Sequence, residues 1–171
     1  MDRRRLIPTI AGLMLCASAF AQQPASQPPA GATPATAQPA IDQLTPEQRA
    51  ALAKQDADMT QAALQVLQMV DANRIGEVWD GASAAMKQMV PRDEFIRQVT
   101  IDRNRLGAVA SRATPEVSRS LFRAGQQVPE GLYINVRSAT NFANNGEPVR
   151  ELVSFRLDED RVWRVSGYSL R

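Results

Sequence analysis

Glu151 is the residue whose position in the sequence is best placed to do chemistry. It lies in a run of alternating apolar and polar residues, and the alternation puts it on one strand face with Val149, Val153 and Phe155. A carboxylate on an apolar, core-facing surface must be paired or open into a cavity, because an unpaired buried charge is costly. The sequence therefore predicts either a structural ion pair or a polar group at the mouth of a pocket.

Arg105 and Arg112 are the predicted partners of Glu151. In the structural interpretation, which we favour, an arginine pairs with Glu151 and closes the sheet against the preceding helix. In the functional interpretation, the arginine holds an anionic ligand inside a pocket. Both interpretations stay open at the level of the sequence.

Tyr133 and Tyr168 are aromatic residues with a polar end, and we expect them in the core or in a pocket wall. A buried glutamate with nearby tyrosine hydroxyls could also act as a general base with proton donors, which is the catalytic alternative. Five residues are therefore the candidate ligand-binding residues: Arg105, Arg112, Tyr133, Glu151 and Tyr168.

Several kinds of site are excluded by composition. The chain has no histidine, and its one cysteine is Cys16, near the N-terminus. Ordinary zinc sites and histidine-based triads are therefore excluded. Residues 158–160 are three consecutive acids, but they lack the ligand spacing of a calcium loop, so we expect a solvated turn. The sequence predicts no metal site and no cofactor.

The N-terminus reads as a secretory signal peptide. Three arginines at residues 3–5 precede an apolar run that ends at Phe20, and Ala19 and Ala21 are the small residues of a cleavage site. The run is shorter than the roughly 20 residues that a membrane span needs. We therefore expect cleavage after Ala21, no membrane span afterwards, and a periplasmic or secreted protein. The pattern leaves general secretion and twin-arginine export both open.

Removal of residues 1–21 changes the charge of the chain. It lowers the basic count from 20 to 17 and the acidic count from 18 to 17, so the mature chain has no net charge. Without a clustered basic surface, nucleic-acid binding is not expected. Residues 22–44 are rich in proline, alanine and glutamine, and they predict a disordered linker because they offer too little apolar surface to bury.

The first half of the remaining chain has helical spacing. A capping box at residues 45–48 starts a helix that ends near Asn73. Apolar residues at helical spacing predict a second helix over residues 75–89 and a third between Pro91 and Gly107.

The second half predicts strands. Residues 108–112 and 117–122 look like a weak strand pair, followed by a loop over residues 123–130. From Gly131 to Arg171, three alternating runs separated by polar turns predict an antiparallel meander, with Asn145-Gly146 at a hairpin and a bulge near Gly167. Residues 45–171 are thus predicted to form a single α+β domain, with N-terminal helices packed on a curved antiparallel C-terminal sheet.

The order of these motifs resembles the bacterial family called domain of unknown function 4019, over about Ala57 to Arg171. The most specific piece is the ending Trp-Arg-Val-Ser-Gly-Tyr at residues 163–168. The resemblance implies a cystatin-like or nuclear-transport-factor-2-like cone, in which a bent sheet wraps helices, and it implies export. It implies no catalytic residue, since the family has no assigned activity.

The sequence thus favours an exported envelope domain that is not an enzyme and that binds a small ligand or an envelope protein. One alternative is a small cone-fold isomerase or dehydratase that uses Glu151. Another is a structural module that forms a homodimer through its sheet. A roomy cavity with an unpaired Glu151 would favour binding or catalysis inside the cone, whereas a filled interior with a paired Glu151 would favour an interaction module.

Overall fold

The computed structural model of the protein describes residues 44–171, and the architecture within this range is α+β, as predicted. The predicted signal peptide and all but the last residue of the predicted linker lie outside the described residues. They and the domain boundary at residue 45 therefore stay predictions. Within the described range, no helix combines the length and the apolar character that crossing a membrane requires.

The first helix, α1, spans Pro46–Asp71 and confirms the predicted capping box. The Thr45 hydroxyl accepts a hydrogen bond from the Gln48 amide (3.2 Å), and the Thr45 amide donates to the Gln48 side chain (2.9 Å). Two of the amides that a helix N-terminus leaves without partners are satisfied in this way. The buried face of α1 has the predicted helical spacing: Met59, Ala63, Val66, Leu67 and Val70.

The prediction of one helix over residues 75–89 is wrong, because the structure has two short helices, α2 at Ile75–Asp80 and α3 at Ala84–Met89. The cause is Ser83. Its hydroxyl caps α3 by accepting a hydrogen bond from the Met86 amide (3.2 Å), while its own amide donates to the Val165 carbonyl (2.8 Å). The break therefore lets the backbone bond to the sheet, which a continuous helix would prevent.

The last helix, α4, spans Arg92–Leu106, in agreement with the prediction. It ends at Gly107, whose φ of 80° and ψ of −161° lie in a region that is essentially restricted to glycine. After this turn, the Leu106 carbonyl accepts a hydrogen bond from the Asn144 amide (3.0 Å), and the Ala108 carbonyl accepts one from the Ala143 amide (2.8 Å). The end of α4 is thereby fixed to one end of the sheet.

Five strands form one antiparallel sheet: β1 at Val109–Arg112, β2 at Glu116–Phe122, β3 at Gly131–Phe142, β4 at Val149–Leu157 and β5 at Trp163–Leu170. The predicted pairing of the first two strands is wrong. Both pair with β3 instead, β1 with residues 140–142 and β2 with residues 131–137. With twelve residues, β3 is long enough for both, and Pro115, which has no amide to donate, interrupts the edge between them.

The predicted bulge near Gly167 is confirmed. Ser154 lies opposite Gly167 and Phe155 lies opposite Val165, so Ser166 is an extra residue on β5. Without it, alternation would put residues 165 and 168 on opposite faces of the sheet. With it, Tyr168 lies opposite the buried Val153, on the face that the helices cover.

The core fills the space between the helices and that face of the sheet. Glu151, Val153 and Phe155 are all buried on it, as the alternation predicted. The hydrophobic cluster around Val153 and Phe155 also takes residues from all four helices, from the turn between α2 and α3, and from β3 and β5: Met59, Ala63, Val66, Leu67, Val70, Ile75, Val78, Ala82, Met86, Phe95, Val99, Ile134, Val136 and Val165.

Candidate functional site

Glu151 is 1% exposed and accepts hydrogen bonds from four side chains. One carboxylate oxygen, Oε2, accepts from Arg112 Nε (2.7 Å) and from the Thr140 hydroxyl (2.9 Å). The other oxygen, Oε1, accepts from the Tyr168 hydroxyl (2.7 Å), and more weakly from Arg103 and Arg112 (both 3.3 Å). Both oxygens of this buried carboxylate are therefore satisfied, as a buried charge requires.

A second carboxylate completes the site. Asp71 accepts a hydrogen bond from Arg103 Nη2 (2.7 Å) and two from Arg112, through Nη1 (2.7 Å) and Nη2 (2.9 Å). Arg103 and Arg112 thus bridge Asp71 and Glu151. We call these four residues the four-charge network. With two cations and two anions it has no net charge.

The network forms where helix ends meet the sheet. Asp71 is the last residue of α1, Arg103 is in the last turn of α4, and Arg112 ends β1. The last turn of α1 contains no basic residue of its own. The two guanidinium groups therefore supply the positive charge that the C-terminal end of a helix favours.

The electrostatics of the site fix the protonation states of Arg112 and Tyr168. Burial by itself would lower the pKa of Arg112, but its hydrogen bonds to Asp71 and Glu151 outweigh this and raise that pKa above its ordinary value. Burial and the nearby Glu151 charge raise the pKa of Tyr168. Arg112 is therefore a fixed cation and Tyr168 a fixed neutral donor.

The prediction that Arg105 pairs with Glu151 is wrong. Arg105 is exposed, and Arg103 takes the predicted place beside Glu151. The reason is helical geometry, since residues two positions apart point about 200° away from each other. The spacing contained the signal, because Arg103 follows the buried Val99 by four residues and precedes the buried Leu106 by three.

The other predicted site residues divide between the two faces of the sheet. Arg112, Glu151 and Tyr168 are brought together in the network. Tyr133 lies on the opposite face, where its hydroxyl donates to the Pro129 carbonyl (2.9 Å) and its ring packs edge-on against Phe122. The structure therefore does not bring Tyr133 to Glu151. Sequence reasoning missed three residues of the site: Asp71, Arg103 and Thr140.

The acidic turn at residues 158–160 differs in part from the prediction. Glu159 and Asp160 are exposed, as expected for a solvated turn, but Asp158 is buried. Asp158 accepts hydrogen bonds from Arg156 (2.8 Å) and Arg164 (3.3 Å). These arginines also pair with the two exposed acids, and the hydrogen bond from Arg164 lowers the pKa of Asp160 to about 2. In residues 44–171, no three acidic side chains are arranged to hold a metal ion.

Asp71 and Arg103 of the network line an open cleft of about 500 Å³, between the ends of α1 and α4. Its floor includes Asp71 and Arg103, whose side chains are 31% and 12% exposed. We call it the Asp71 cleft. Its lining residues are Val70, Asp71, Asn73, Thr100, Arg103, Asn104, Gly107 and Ala108.

Tyr168→Phe is expected to lower the free energy of unfolding by about 1–3 kcal/mol at pH 7, because a buried carboxylate oxygen loses its shortest hydrogen bond. The raised pKa gives this contribution a pH dependence. It is full below the unfolded-state pKa of about 10 and is lost as the pH rises through the folded-state pKa. Denaturant unfolding of both proteins between pH 7 and 11 should show the advantage of the wild type shrinking above pH 10.

Tyr133→Phe is the matched control for that experiment. It also removes a buried tyrosine hydroxyl, but one that bonds to a neutral backbone carbonyl. We expect a smaller loss, about 0.5–1.5 kcal/mol at pH 7. Equal losses of unfolding free energy for the two variants would mean that the bond to Glu151 stabilises the fold no more than a bond to a neutral carbonyl.

The chain matches the model of a known protein family. The family model described as Protein of unknown function (DUF4019) matches residues 62–168. No curated protein and no solved structure matches the chain. The matched range contains the whole four-charge network, together with Thr140 and Tyr168.

Proposed function

This chain belongs to the family described as Protein of unknown function (DUF4019), and on that premise we propose that its α+β domain is a non-catalytic binding module of the bacterial cell envelope. In this proposal a signal peptide that ends at Ala21 exports the chain. The folded domain then holds a small ligand or an envelope protein at its surface. The arginine-led apolar segment at the N-terminus supports export.

One observation carries the non-catalytic part of the proposal, namely that Glu151 is fully engaged. A general base must come within hydrogen-bond reach of the proton it removes. Glu151 instead accepts bonds from Arg103, Arg112, Thr140 and Tyr168, and its side chain is 0% exposed. The same arrangement is what a structural ion pair requires.

The Asp71 cleft is the site that we propose for a small ligand. Its volume is within the range of about 300–1,000 Å³ that ligand pockets occupy. Asn73, Thr100 and Asn104 offer hydrogen bonds from its walls, and the charges of its floor cancel. These features favour a polar ligand that is neutral or carries both signs of charge. Arg112, Glu151 and Tyr168 would act from beneath, by holding Asp71 and Arg103 in position.

A thermal-shift screen of the mature chain against small polar metabolites tests the ligand part. A ligand that binds only the folded state raises the melting temperature by mass action. For a true hit, Asn104→Ala should abolish the shift, because Asn104 lines the cleft. Gln98→Ala, an exposed polar site on the same helix but not part of the cleft lining, should retain it. If no metabolite raised the melting temperature of the folded protein, this would argue against a small ligand. The proposal would then have to be tested with protein partners.

The export part has its own test. The mass of the protein recovered from the periplasm or the medium should correspond to a chain that begins at Gln22. An uncleaved chain in the membrane fraction would contradict this part of the proposal.

Isomerase or dehydratase turnover that disappears in a folded Glu151→Gln variant would contradict the non-catalytic part.

A further inference from the structure

An apolar row crosses one end of the helix-facing surface of the sheet. Leu121 and Leu132 lie opposite each other on β2 and β3 and are 46% and 38% exposed. The register of β3 and β4 continues this row to Leu157, which lies opposite Trp163 on β5. Sequence alternation puts Leu132 on the core face with Ile134, and Leu132 does lie on the helix-facing side of the sheet. The helices, however, leave this end of the sheet partly uncovered. Large apolar side chains that remain exposed side by side mark an interaction surface.

The first helix projects past the same end of the domain. Arg119, one row inward from Leu121, holds α1 through Gln55 (2.8 Å) and Asp56 (2.6 Å). From Pro46 to Lys54 the helix has no buried residue, and all but the half-buried Leu52 are exposed. This overhang, residues 46–54, is about 14 Å long. The overhang is held by its cap at Thr45 and by its continuity with the rest of α1, and it lacks the tertiary packing that stabilises most helices.

The overhang and the apolar row complement each other. Ala50, Ala51 and Ala53 are exposed on the overhang, and small side chains let a helix approach an apolar surface closely. Both signs of charge are present on each side. The overhang carries Glu47 and Arg49, and its third charged residue, Lys54, pairs with Asp58. An exposed arginine and an exposed glutamate, Arg123 and Glu130, lie just beyond the paired ends of β2 and β3.

We propose that the apolar row is a docking surface for a second copy of this chain, and that the overhang of each copy covers the row of the other. A two-fold axis at this end of the domain makes the two contacts equivalent. Each copy contributes the nine residues of the overhang and the four residues of the row, which is fewer than the roughly 20–30 residues per side of a standard interface. The dimer is therefore weak and concentration-dependent.

Two other surfaces fit a second copy less well. The outer face of the sheet is polar at its centre, where Asn135 bonds to Ser120 and accepts a bond from Ser154. The free edge of β5 is blocked in its middle, because the Val165 carbonyl already accepts the Ser83 amide. The sequence suggested a homodimer through the sheet. In our proposal its interface is the apolar row at the end of the sheet and not the outer sheet face.

Sedimentation velocity of the mature chain over a wide range of concentrations tests this inference. The wild type should shift from monomer to dimer as concentration rises, and Leu121→Glu should abolish the shift. Ile101→Glu is the matched control, since Ile101 is 50% exposed on α4 and should leave the shift unchanged. A wild type that stays monomeric throughout, or an equal loss in Ile101→Glu, would overturn the proposal.

A mixing experiment tests the reciprocal arrangement, and the measurement on its Ala53→Arg component alone does not depend on Leu121→Glu being well folded. Ala53→Arg changes only an exposed helix position, so it should be folded and monomeric. When it is mixed with Leu121→Glu, one contact of the mixed dimer is native and the other brings the new arginine to the new glutamate. Dimer should therefore return in the mixture. If Ala53→Arg alone dimerises like the wild type, the overhang is not the covering element and the proposal fails.

Discussion

Glu151→Gln is expected to lower the free energy of unfolding of the domain by about 3–5 kcal/mol, the cost of removing one partner from a buried ion pair. The substitution keeps the shape of the side chain but removes its charge. Arg103 and Arg112 would then share the single carboxylate of Asp71, and one cation beside the core would be uncompensated. For a domain of this size the melting temperature should fall by at least about 10 °C.

Chemical unfolding at pH 7 measures this effect, and Glu147→Gln is the control. Glu147 is exposed in the turn between β3 and β4, and no side-chain hydrogen bond or ion pair of Glu147 occurs among residues 44–171. Its replacement should change the free energy by less than about 0.5 kcal/mol. If Glu151→Gln lowered the free energy of unfolding no more than Glu147→Gln does, the network would not stabilise the fold. The inward position of Glu151 would then favour a role in binding or catalysis.

Arg112→Ala should be the second most damaging of the substitutions considered, at about 3 kcal/mol. Arg112 gives two hydrogen bonds to Asp71 and two to Glu151, so its loss leaves Arg103 as the one cation of the network for two carboxylates. Arg112→Lys should restore only part of the loss, because an ammonium group cannot bridge two carboxylates with the fixed geometry of a guanidinium.

Arg105→Ala is the control for Arg112→Ala, because the sequence predicted Arg105 beside Glu151 and the structure places it at the surface. It removes the same side chain from an exposed position and should cost less than about 0.5 kcal/mol. In the double variant Arg112→Ala with Glu151→Gln, the remaining Asp71 and Arg103 still balance in charge. The combined loss should therefore be smaller than the sum of the single losses. Additive losses would show that Arg112 and Glu151 do not act as a pair.

The helices and strands could be predicted because their signals are local. The capping box at residues 45–48, the glycine after Leu106 and the alternation of residues 131–142 each act over a few positions of the chain. The predictions failed where a distant partner decides. Ser83 breaks a helix because it bonds to Val165, eighty-two residues later, and β1 and β2 do not pair because β3 is long enough to take both.

In the candidate site, too, local signals were predicted correctly and distant partners were missed. Alternation alone placed Glu151 on the buried face, and the cost of burying a charge required a partner for it. Arg112 was correctly named as one. Asp71, Arg103 and Thr140 were missed because they lie on three different elements, whose relative positions no local pattern contains.

By itself, then, the sequence determined the class of the fold, the buried position of Glu151 and its need for a cation, because periodicity and the desolvation of a charge operate along a single strand. The tertiary structure decided which groups satisfy that need, and it closed the space around Glu151 that a pocket would have required. It also left the row at Leu121 and Leu132 uncovered, although alternation assigns Leu132 to the core face. Alternation says which way a side chain points, but only the lengths and placement of the packed helices decide whether anything covers it.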